Sequence, residues 1–220
     1  MSSSNSEATR PRIFYGWVIV GLSFVTLAFH ITARFSFAIF QVPLIAEFGW
    51  DRGALGGAYA LGMGIYALTN PLIGSLFEKY GPRSVIPWGS VFVGLGLTGG
   101  FFISSLWHVY FLTGVLIAFG TSLSGFSMHG ALMPRWFQKR RGLATGIIFS
   151  GIGIGALLLS PIIERLIANF SWRAAYLFYG LAVILILVPA KFLLLRNKAK
   201  MWAKTWTVFP WGRPVTLPPP

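Results

Sequence analysis

Long apolar stretches separated by short polar connections dominate the pattern of this chain. A hydrocarbon layer of about 30 Å needs roughly 20 apolar residues in a helix to cross it. Six stretches meet this requirement: Tyr15–Phe40, Leu55–Phe77, Val85–Ile103, Val109–Met133, Leu143–Ile163 and Ala174–Leu195. The pattern predicts an all-α membrane protein whose six transmembrane helices form one bundle over residues 15–196.

Two polar or irregular segments flank the predicted bundle. Residues 1–14 are polar, and no small-residue cleavage site follows them, so we expect a cytoplasmic lead-in to a retained helix rather than a removed signal peptide. Residues 197–220 are too short and too rich in proline to cross a membrane. We expect this cytoplasmic segment either to lie at the interface through its tryptophans or to lack regular structure.

The composition supports lipid as the solvent of this chain. Hydrophobic residues make up 55% and charged residues only 10%, with a mean hydropathy of +0.69, whereas soluble domains carry roughly 25% charged residues. The absence of cysteine excludes disulfides and thiol chemistry. Without cysteine, an H-E-x-x-H motif or an acid deep inside a span, the sequence predicts no enzyme, no metal site and no cofactor.

The net charge of +13 raises the possibility of nucleic-acid binding. The basic residues, however, fall in short clusters between the spans, as they do in membrane loops, so we expect no nucleic-acid partner. One side holds Arg10, Arg12, Lys79, Arg83, Arg135, Lys139, Arg140, Arg141, Lys191, Arg196, Lys198, Lys200, Lys204 and Arg213. The other holds only Arg52, Arg165 and Arg173. This bias predicts that both termini lie in the cytoplasm and that the chain spans the inner or plasma membrane several times.

Arg34 is unusual because it lies inside the first apolar stretch. It follows Val18 by 16 residues, which places it roughly 24 Å into the membrane at 1.5 Å per residue. Three interpretations are open: the guanidinium binds an anionic substrate in a central cavity, it reaches the outer interface along its flexible stem, or it pairs inside the protein.

Four further side chains are candidates for the same cavity. His30 lies four residues before Arg34, so the two are expected to share a helical face. Tyr59 and Tyr66 are seven residues apart on the second span, and His129 lies near the end of the fourth. For each of them the alternative is an ordinary packed residue of the helix bundle.

Two local features concern the helices themselves. Glycines recur in the second, third and fifth spans, either to allow close static packing or to let helices slide during transport. Asn70 precedes Pro71 in the second span and is expected to serve a local helix break.

The connection between the second and third spans reads GSLFEKYGPR, from Gly74 to Arg83. It resembles the loop signature of the major facilitator superfamily, usually G-x-x-x-D-R-x-G-R-R, with Glu78 in place of Asp and Pro82 in place of a basic residue. The resemblance implies that Glu78, with Lys79 and Gly81, belongs to a latch on the cytoplasmic side. The alternative is that Glu78 only balances Lys79 at a wet surface, where such a pair contributes about 0–1 kcal/mol.

The connection between the fourth and fifth spans, RWFQKRRGLATG, contains Arg140 and Arg141. It resembles the W/Y-F-x-K-R-R-x-L-A-x-G segment of monocarboxylate and oxalate/formate-type porters. Tyr15-Gly16-Trp17 and Phe48-Gly49-Trp50 are similar to the start of the first helix and the following loop in bacterial members. The likeness covers about residues 14–195.

This resemblance implies the N-terminal six-helix half of a facilitator fold, built as a three-plus-three inverted repeat. It further implies a secondary transporter that works by alternating access on a small carboxylate such as a monocarboxylate, with the lipid bilayer as its surroundings. The fourth span lacks the arginine of many proton-coupled members, and no span carries a deep Asp or Glu, so no carboxylate proton relay is expected here.

Only one half of such a transporter is recognisable. A frameshifted or truncated gene product, a fragment, and a half-transporter that pairs with a second half or with itself are the three interpretations. A facilitator for a drug or sugar, and a membrane scaffold that transports nothing, are the alternative functions.

Overall fold

The structure, a computed structural model, describes residues 15–137 and 140–195, apart from the side chain of Arg135. It contains six apolar helices long enough to cross a membrane: α1 (Tyr15–Phe48), α2 (Arg52–Tyr80), α3 (Pro82–Phe102), α4 (Leu106–Leu132), α5 (Arg141–Asn169) and α6 (Trp172–Leu194). The six predicted spans are confirmed, and every helix begins within three residues of its predicted start. The predictions made for residues 1–14, Lys139 and residues 196–220 concern parts of the chain outside the described residues.

Two helices run further than the sequence predicted. α1 was expected to end at Phe40, but it continues to Phe48 and ends at Gly49, whose φ of 67° is the left-handed conformation that favours glycine. The prediction of a loop there was wrong because Phe40 and Leu44 are buried on the inner face of the bundle, and Pro43 is tolerated between them. α5 likewise continues past Ile163 to Asn169.

α2 is continuous through Pro71, so the predicted helix break at Asn70 was wrong. Proline lacks a backbone N–H and leaves a carbonyl of the preceding turn without its usual donor. Side chains next to it supply hydrogen bonds to this turn: Asn70 Nδ2 donates to the Tyr66 carbonyl at 2.8 Å, and Thr69 Oγ1 donates to the Ile65 carbonyl at 2.7 Å. The helix therefore continues through Pro71 with two additional side-chain hydrogen bonds in the turn before it.

Successive helices run in opposite directions because their connections are short. Gly81 alone joins α2 to α3, with φ at 81°. The Tyr15 hydroxyl donates to the Leu194 carbonyl at 2.5 Å, which brings the start of α1 and the end of α6 together. We call this the Tyr15 end of the bundle, and the opposite end, where α1 finishes, the Glu47 end.

The Glu47 end is held by one ion pair with aromatic neighbours. Arg173 Nη1 lies 2.7 Å from Glu47 Oε1, and Trp172 Nε1 donates to Glu47 Oε2 at 2.5 Å. The Arg173 guanidinium also covers the Trp172 ring at 4.3 Å from its centroid. These contacts join the last turn of α1 to the first turn of α6.

The helix contacts follow a repeat of three plus three. α1 packs on α5, α2 packs on α4, and α3 lies between α4 and α6. Exchanging α1 with α4, α2 with α5, and α3 with α6 turns the α1–α5 contact into the α2–α4 contact and leaves the α3–α6 contact unchanged. The α3–α4 contact is more extensive than its counterpart between α6 and α1. Because α1 and α4 run in opposite directions, the two triplets are inverted relative to each other.

Glycines stand at the crossings of these helices. A Cβ atom on Gly155 of α5 would lie 2.5 Å from the Ala28 Cα of α1. A Cβ on Gly89 of α3 would lie 2.7 Å from the Gly120 carbonyl oxygen of α4. Helices in lipid have little hydrophobic drive to associate, so close van der Waals contact between small residues holds them together. At these crossings the glycines are tight packing residues.

α2 and α5 are the least buried helices of the bundle. In the most apolar 18-residue stretch of each helix, the buried share is 17% for α2 and 22% for α5. The corresponding share is 61% for both α1 and α4. Their glycines differ accordingly, since Gly56, Gly64, Gly146 and Gly153 have open space where a Cβ would stand. The two helices therefore present an uncovered small-residue surface.

Gly155 and Gly153 form a matched pair on α5 for testing the packing. We expect Gly155→Ala to destabilise the bundle by about 1–3 kcal/mol, because the added methyl overpacks against Ala28. We expect Gly153→Ala to be neutral or stabilising by about 0.5–1 kcal/mol, because alanine favours the helix and meets open space. Thermal unfolding midpoints of the two variants in one detergent check the difference, and equal midpoints would contradict it.

Candidate functional site

Arg34 lies beside aromatic side chains of α2. Its guanidinium carbon is 4.6 Å from the centroid of the Tyr66 ring and 5.8 Å from that of Tyr59, and an Nη atom donates to the Met63 sulfur. The structure thus brings together three of the residues that the sequence predicted as substrate-binding. Contact between a guanidinium and aromatic faces is a favourable cation–π arrangement.

The local fold explains this position. Tyr59, Met63 and Tyr66 are spaced by four and three residues, so they form one face of α2. Arg34 occupies the last turn of the first segment of α1, Tyr15–Phe35, where the negative end of the helix dipole favours a cation. The side chain is partly exposed, and no described carboxylate forms an ion pair with it.

His30 does not share this environment. It is completely buried and faces α3 and α4, with Nε2 3.0 Å from Ser90 Oγ and Nδ1 3.1 Å from Ser124 Oγ. The expectation that His30 and Arg34 line the same cavity is not met, because one turn of α1 directs them toward different neighbours. His30 belongs to a polar network inside the bundle.

Lys191 completes this network. The sequence assigned it to the same side as most of the basic residues, and it does lie near the Tyr15 end of α6, but its side chain is completely buried. Its Nζ donates to Ser90 Oγ at 2.5 Å and to Ser124 Oγ at 2.8 Å. The burial was not expected because Lys191 lies within one turn of the end of α6, where a basic side chain ordinarily reaches the interface.

The Lys191 network therefore consists of Lys191, His30, Ser90 and Ser124, contributed by four different helices. Each serine hydroxyl contacts both the amine and one nitrogen of the imidazole. No described carboxylate takes part in it. A buried amine without an acid depends on these hydroxyls for its hydrogen bonds, so we assign the network a role in holding the four helices together.

His129 lies near this network but away from Arg34. It is buried, its Nδ1 is 2.9 Å from Ser23 Oγ of α1, and its Nε2 has no hydrogen-bond partner among the described atoms. Its contact partner is thus the first half of α1, well before the turn that carries Arg34.

α1 and α4 depart from regular helix to different degrees inside the bundle. α1 is only locally irregular at Ser36, which keeps helical dihedral angles and whose hydroxyl donates to the Ala33 carbonyl at 3.1 Å. α4 is interrupted at Gly125, whose φ of −91° and ψ of −157° are extended. The two sites follow the first residues of their helices by 21 and 19 positions. Only the break at Gly125 is a true interruption of the helix.

The predicted loop motif lies on the surface at the Tyr15 end. The side chains of Glu78, Lys79, Arg83, Arg140 and Arg141 are exposed. Gly81 has a left-handed φ that requires glycine, whereas Gly74 meets open space at its Cβ position. Among the described residues none forms an ion pair with Glu78, so its role as a latch stays a prediction.

Comparisons with known proteins place the chain in a family. A family model described as "Major Facilitator Superfamily" matches residues 22–212. Monocarboxylate transporter 13 of Rattus norvegicus is 31% identical over 74% of this chain, and monocarboxylate transporter 11 of Homo sapiens is 34% identical over 82% of it. Monocarboxylate transporter 12 of Mus musculus is 32% identical over 80%.

The chain belongs to the Major Facilitator Superfamily. It spans only 38% of the length of the first two of these relatives and 36% of the third. The six helices and their inverted repeat correspond to one half of the facilitator fold. Within this half, Arg34 lies on α1 and Ser124 lies on α4, next to the break at Gly125. The two least buried helices are α2 and α5.

The hydropathy and charge patterns of the sequence do not indicate a role for Ser90 or Ser124. One local pattern does point to them: Ser90 directly follows Gly89, and Ser124 follows Gly120 by one helical turn. A small polar residue next to a crossing glycine lies where two helices of a facilitator half come closest. Nothing in the hydropathy pattern indicated that a lysine of another helix would reach both of them.

A double-mutant cycle tests the Lys191 network. We expect Ser90→Ala to destabilise the bundle by about 1–3 kcal/mol, because it leaves the Lys191 amine and the His30 Nε2 each with one fewer partner. In a Lys191→Met background the same substitution should cost clearly less, since the buried amine is gone. Thermal unfolding midpoints of the four proteins measure the coupling.

Ser75→Ala is the matched control for this cycle. Ser75 is exposed, and its hydroxyl donates to the Pro71 carbonyl of its own helix at 3.0 Å. Its substitution should leave the midpoint almost unchanged in either background. Strictly additive effects of Ser90→Ala and Lys191→Met would show that the network is not coupled.

Proposed function

We propose that this chain forms part of a secondary transporter for small carboxylates, with Arg34 as the residue that binds the carboxylate. The observation that carries the proposal is the Arg34 guanidinium itself. It is partly exposed, it lies inside an apolar helix, and among the described residues no carboxylate neutralises it.

The surroundings of Arg34 suit a carboxylate ligand. A guanidinium donates two parallel hydrogen bonds to the two oxygens of a carboxylate. Tyr59 and Tyr66, whose rings flank the guanidinium, add hydroxyl groups that can donate to an anion and aromatic faces that can contact a short carbon chain. Relatives named monocarboxylate transporters support the same ligand class.

His30 and His129 were also predicted to bind substrate. The contacts of both with the serines inside the bundle favour a positioning role for them. In this proposal they fix α1 against α3 and α4, so that the next turn of α1 presents Arg34 to α2. In this proposal the two histidines do not contact the substrate and affect its binding only by positioning α1.

The proposed transport requires a second six-helix unit. Alternating access depends on two such units that rock about a shared site. The uncovered surface of α2 and α5, with its open glycines, supplies a packing face for one. When the chain is studied alone, a second copy of it is the proposed occupant of that face.

The proposed orientation places both termini in the cytoplasm of a cell membrane. The excess of basic residues at the Tyr15 end supports it even though Lys191 is buried. In this orientation Glu78 and Arg83 lie at the cytoplasmic surface, where the exposed Glu78 carboxylate is placed to bind basic groups of the second unit.

Substitution of Arg34 tests the carboxylate site. Purified chain in detergent is titrated with lactate, and the shift of its thermal unfolding midpoint reports binding. We expect Arg34→Ala to weaken lactate binding at least tenfold because the paired hydrogen bonds are lost. Arg34→Lys should weaken it less, because it keeps the charge without the planar fork.

Arg52→Ala is the control, because Arg52 is an exposed arginine at the start of α2. It should bind lactate as the unchanged chain does. The uncharged amide of lactic acid serves as the second ligand: binding of this amide at equal strength, unaffected by Arg34→Ala, would favour a facilitator of neutral solutes and overturn the proposal.

The packing face is tested by single cysteines, since the natural sequence has none. Leu157 of α5 is 73% exposed and Leu193 of α6 is 76% exposed. We expect Leu157→Cys to form covalent dimers with a short thiol cross-linker in membranes and Leu193→Cys to stay monomeric. Equal cross-linking at both positions would mean that the α2 and α5 surface is not the contact.

A further inference from the structure

An apolar groove opens on the side of the bundle at the Tyr15 end. Its volume is about 450 Å³, within the range of roughly 300–1,000 Å³ for small-molecule sites. α2 contributes Leu76 and Tyr80, α3 contributes Trp88 and Phe92, and α4 contributes Phe119 and Leu123. This groove lies apart from the Arg34 cluster and from the Lys191 network.

The groove has a defined floor and rim. Leu123 is buried, and Phe92 and Phe119 meet edge to face with ring centroids 5.3 Å apart. Tyr80 and Trp88 stand at the side, each 53% exposed. Tyrosine and tryptophan with this mixed exposure are typical of the membrane interface. The lining residues of α3 extend from Ser84 to Phe92, about 12 Å along the helix axis.

Positive charge lies at the mouth of the groove. The Lys79 amine is 5.3 Å from the centroid of the Tyr80 ring, so it stands beside a residue that lines the groove. Arg83 is exposed and directly precedes Ser84, which also lines the groove. Glu78 contributes one negative charge nearby, so these three side chains together carry a net positive charge.

We propose that this groove binds one anionic phospholipid, with an acyl chain against the aromatic floor and the phosphate at Lys79 and Arg83. The apolar wall matches a hydrocarbon chain, and the cations at its end match a headgroup phosphate. The Ser84 hydroxyl adds a hydrogen-bond donor at the level of the phosphate. A basic cluster at the end of an intramembrane groove is a recurrent arrangement for anionic headgroups.

Two features separate this occupant from other ligands. The groove contains almost no polar groups below Ser84, so a free phosphate has no site within it. The charged side chains Lys79 and Arg83 lie at one end of the groove, and the rest of its lining is mostly apolar. A phospholipid has the same division, with a charged headgroup at one end and apolar acyl chains at the other. The proposal does not depend on the carboxylate site, because it shares no residue with Arg34, Tyr59 or Tyr66.

Native mass spectrometry of the purified full chain tests the proposal. The protein is stripped of lipid in a mild detergent and mixed with equal amounts of phosphatidylglycerol and phosphatidylcholine of the same acyl chains. We expect the unchanged chain to retain phosphatidylglycerol severalfold over phosphatidylcholine. The double variant Lys79→Gln/Arg83→Gln should lose this preference, because neither side chain then carries a charge.

Arg52→Gln/Arg165→Gln is the matched control, since it removes two exposed cations near the Glu47 end. It should keep the preference for phosphatidylglycerol. Equal retention of the two lipids by the unchanged chain, or an unchanged preference in Lys79→Gln/Arg83→Gln, would overturn the proposal.

The acyl part of the site is tested separately. Leu76→Trp partly fills the groove and should lower retention of both lipids, whereas Leu193→Trp on the exposed surface of α6 should not. An excess of glycerol 3-phosphate should leave the bound phosphatidylglycerol in place. Displacement by glycerol 3-phosphate at a concentration similar to that of the lipid would mean that the phosphate alone binds, which contradicts the groove.

Discussion

The structure depends on the close approach of helix backbones. In a lipid environment apolar side chains gain nothing by leaving their surroundings for a helix interface, so contact distance decides which helices associate. Gly89 and Gly120 let α3 and α4 come so near that a Cβ atom on Gly89 would lie 2.7 Å from a carbonyl of the partner helix. This approach also places the hydroxyls of Ser90 and Ser124 within reach of one lysine amine. The polar interior is thus a consequence of the glycine contacts.

α1 connects two environments of opposite character. One turn directs His30 into a buried network of hydroxyls and an amine. The next turn directs Arg34 to the tyrosines of a helix that is mostly uncovered. A buried amine tolerates little change in its hydrogen-bond partners, whereas a partly exposed guanidinium can exchange them. The first environment suits a fixed structural role, and the second suits the reversible binding of an anion that we propose.

The sequence predicted the fold well and the site in part. Six spans and their starts follow from hydropathy, because an uninterrupted apolar run of sufficient length is a strong constraint in lipid. Helical spacing also placed Tyr59 and Tyr66 on one face of α2, and Arg34 does lie against that face. The end of α1 was missed because Gln41 and Pro43 interrupt the apolar run after Phe40, whereas the burial of Phe40 and Leu44 lets the helix continue to Phe48. Lys191 was missed because hydropathy records how polar a residue is and not which neighbours reach it.

The absence of a described carboxylate beside Lys191 has a mechanical consequence. Its amine is served only by hydroxyls on α3 and α4, and the same hydroxyls serve an imidazole on α1. Separating α6 from these helices by even one hydrogen-bond length would leave a strongly polar group facing hydrocarbon. The four helices are therefore fastened into a single stiff block. We expect any rearrangement of the bundle to leave the contacts within this block intact and to occur at the surfaces around it.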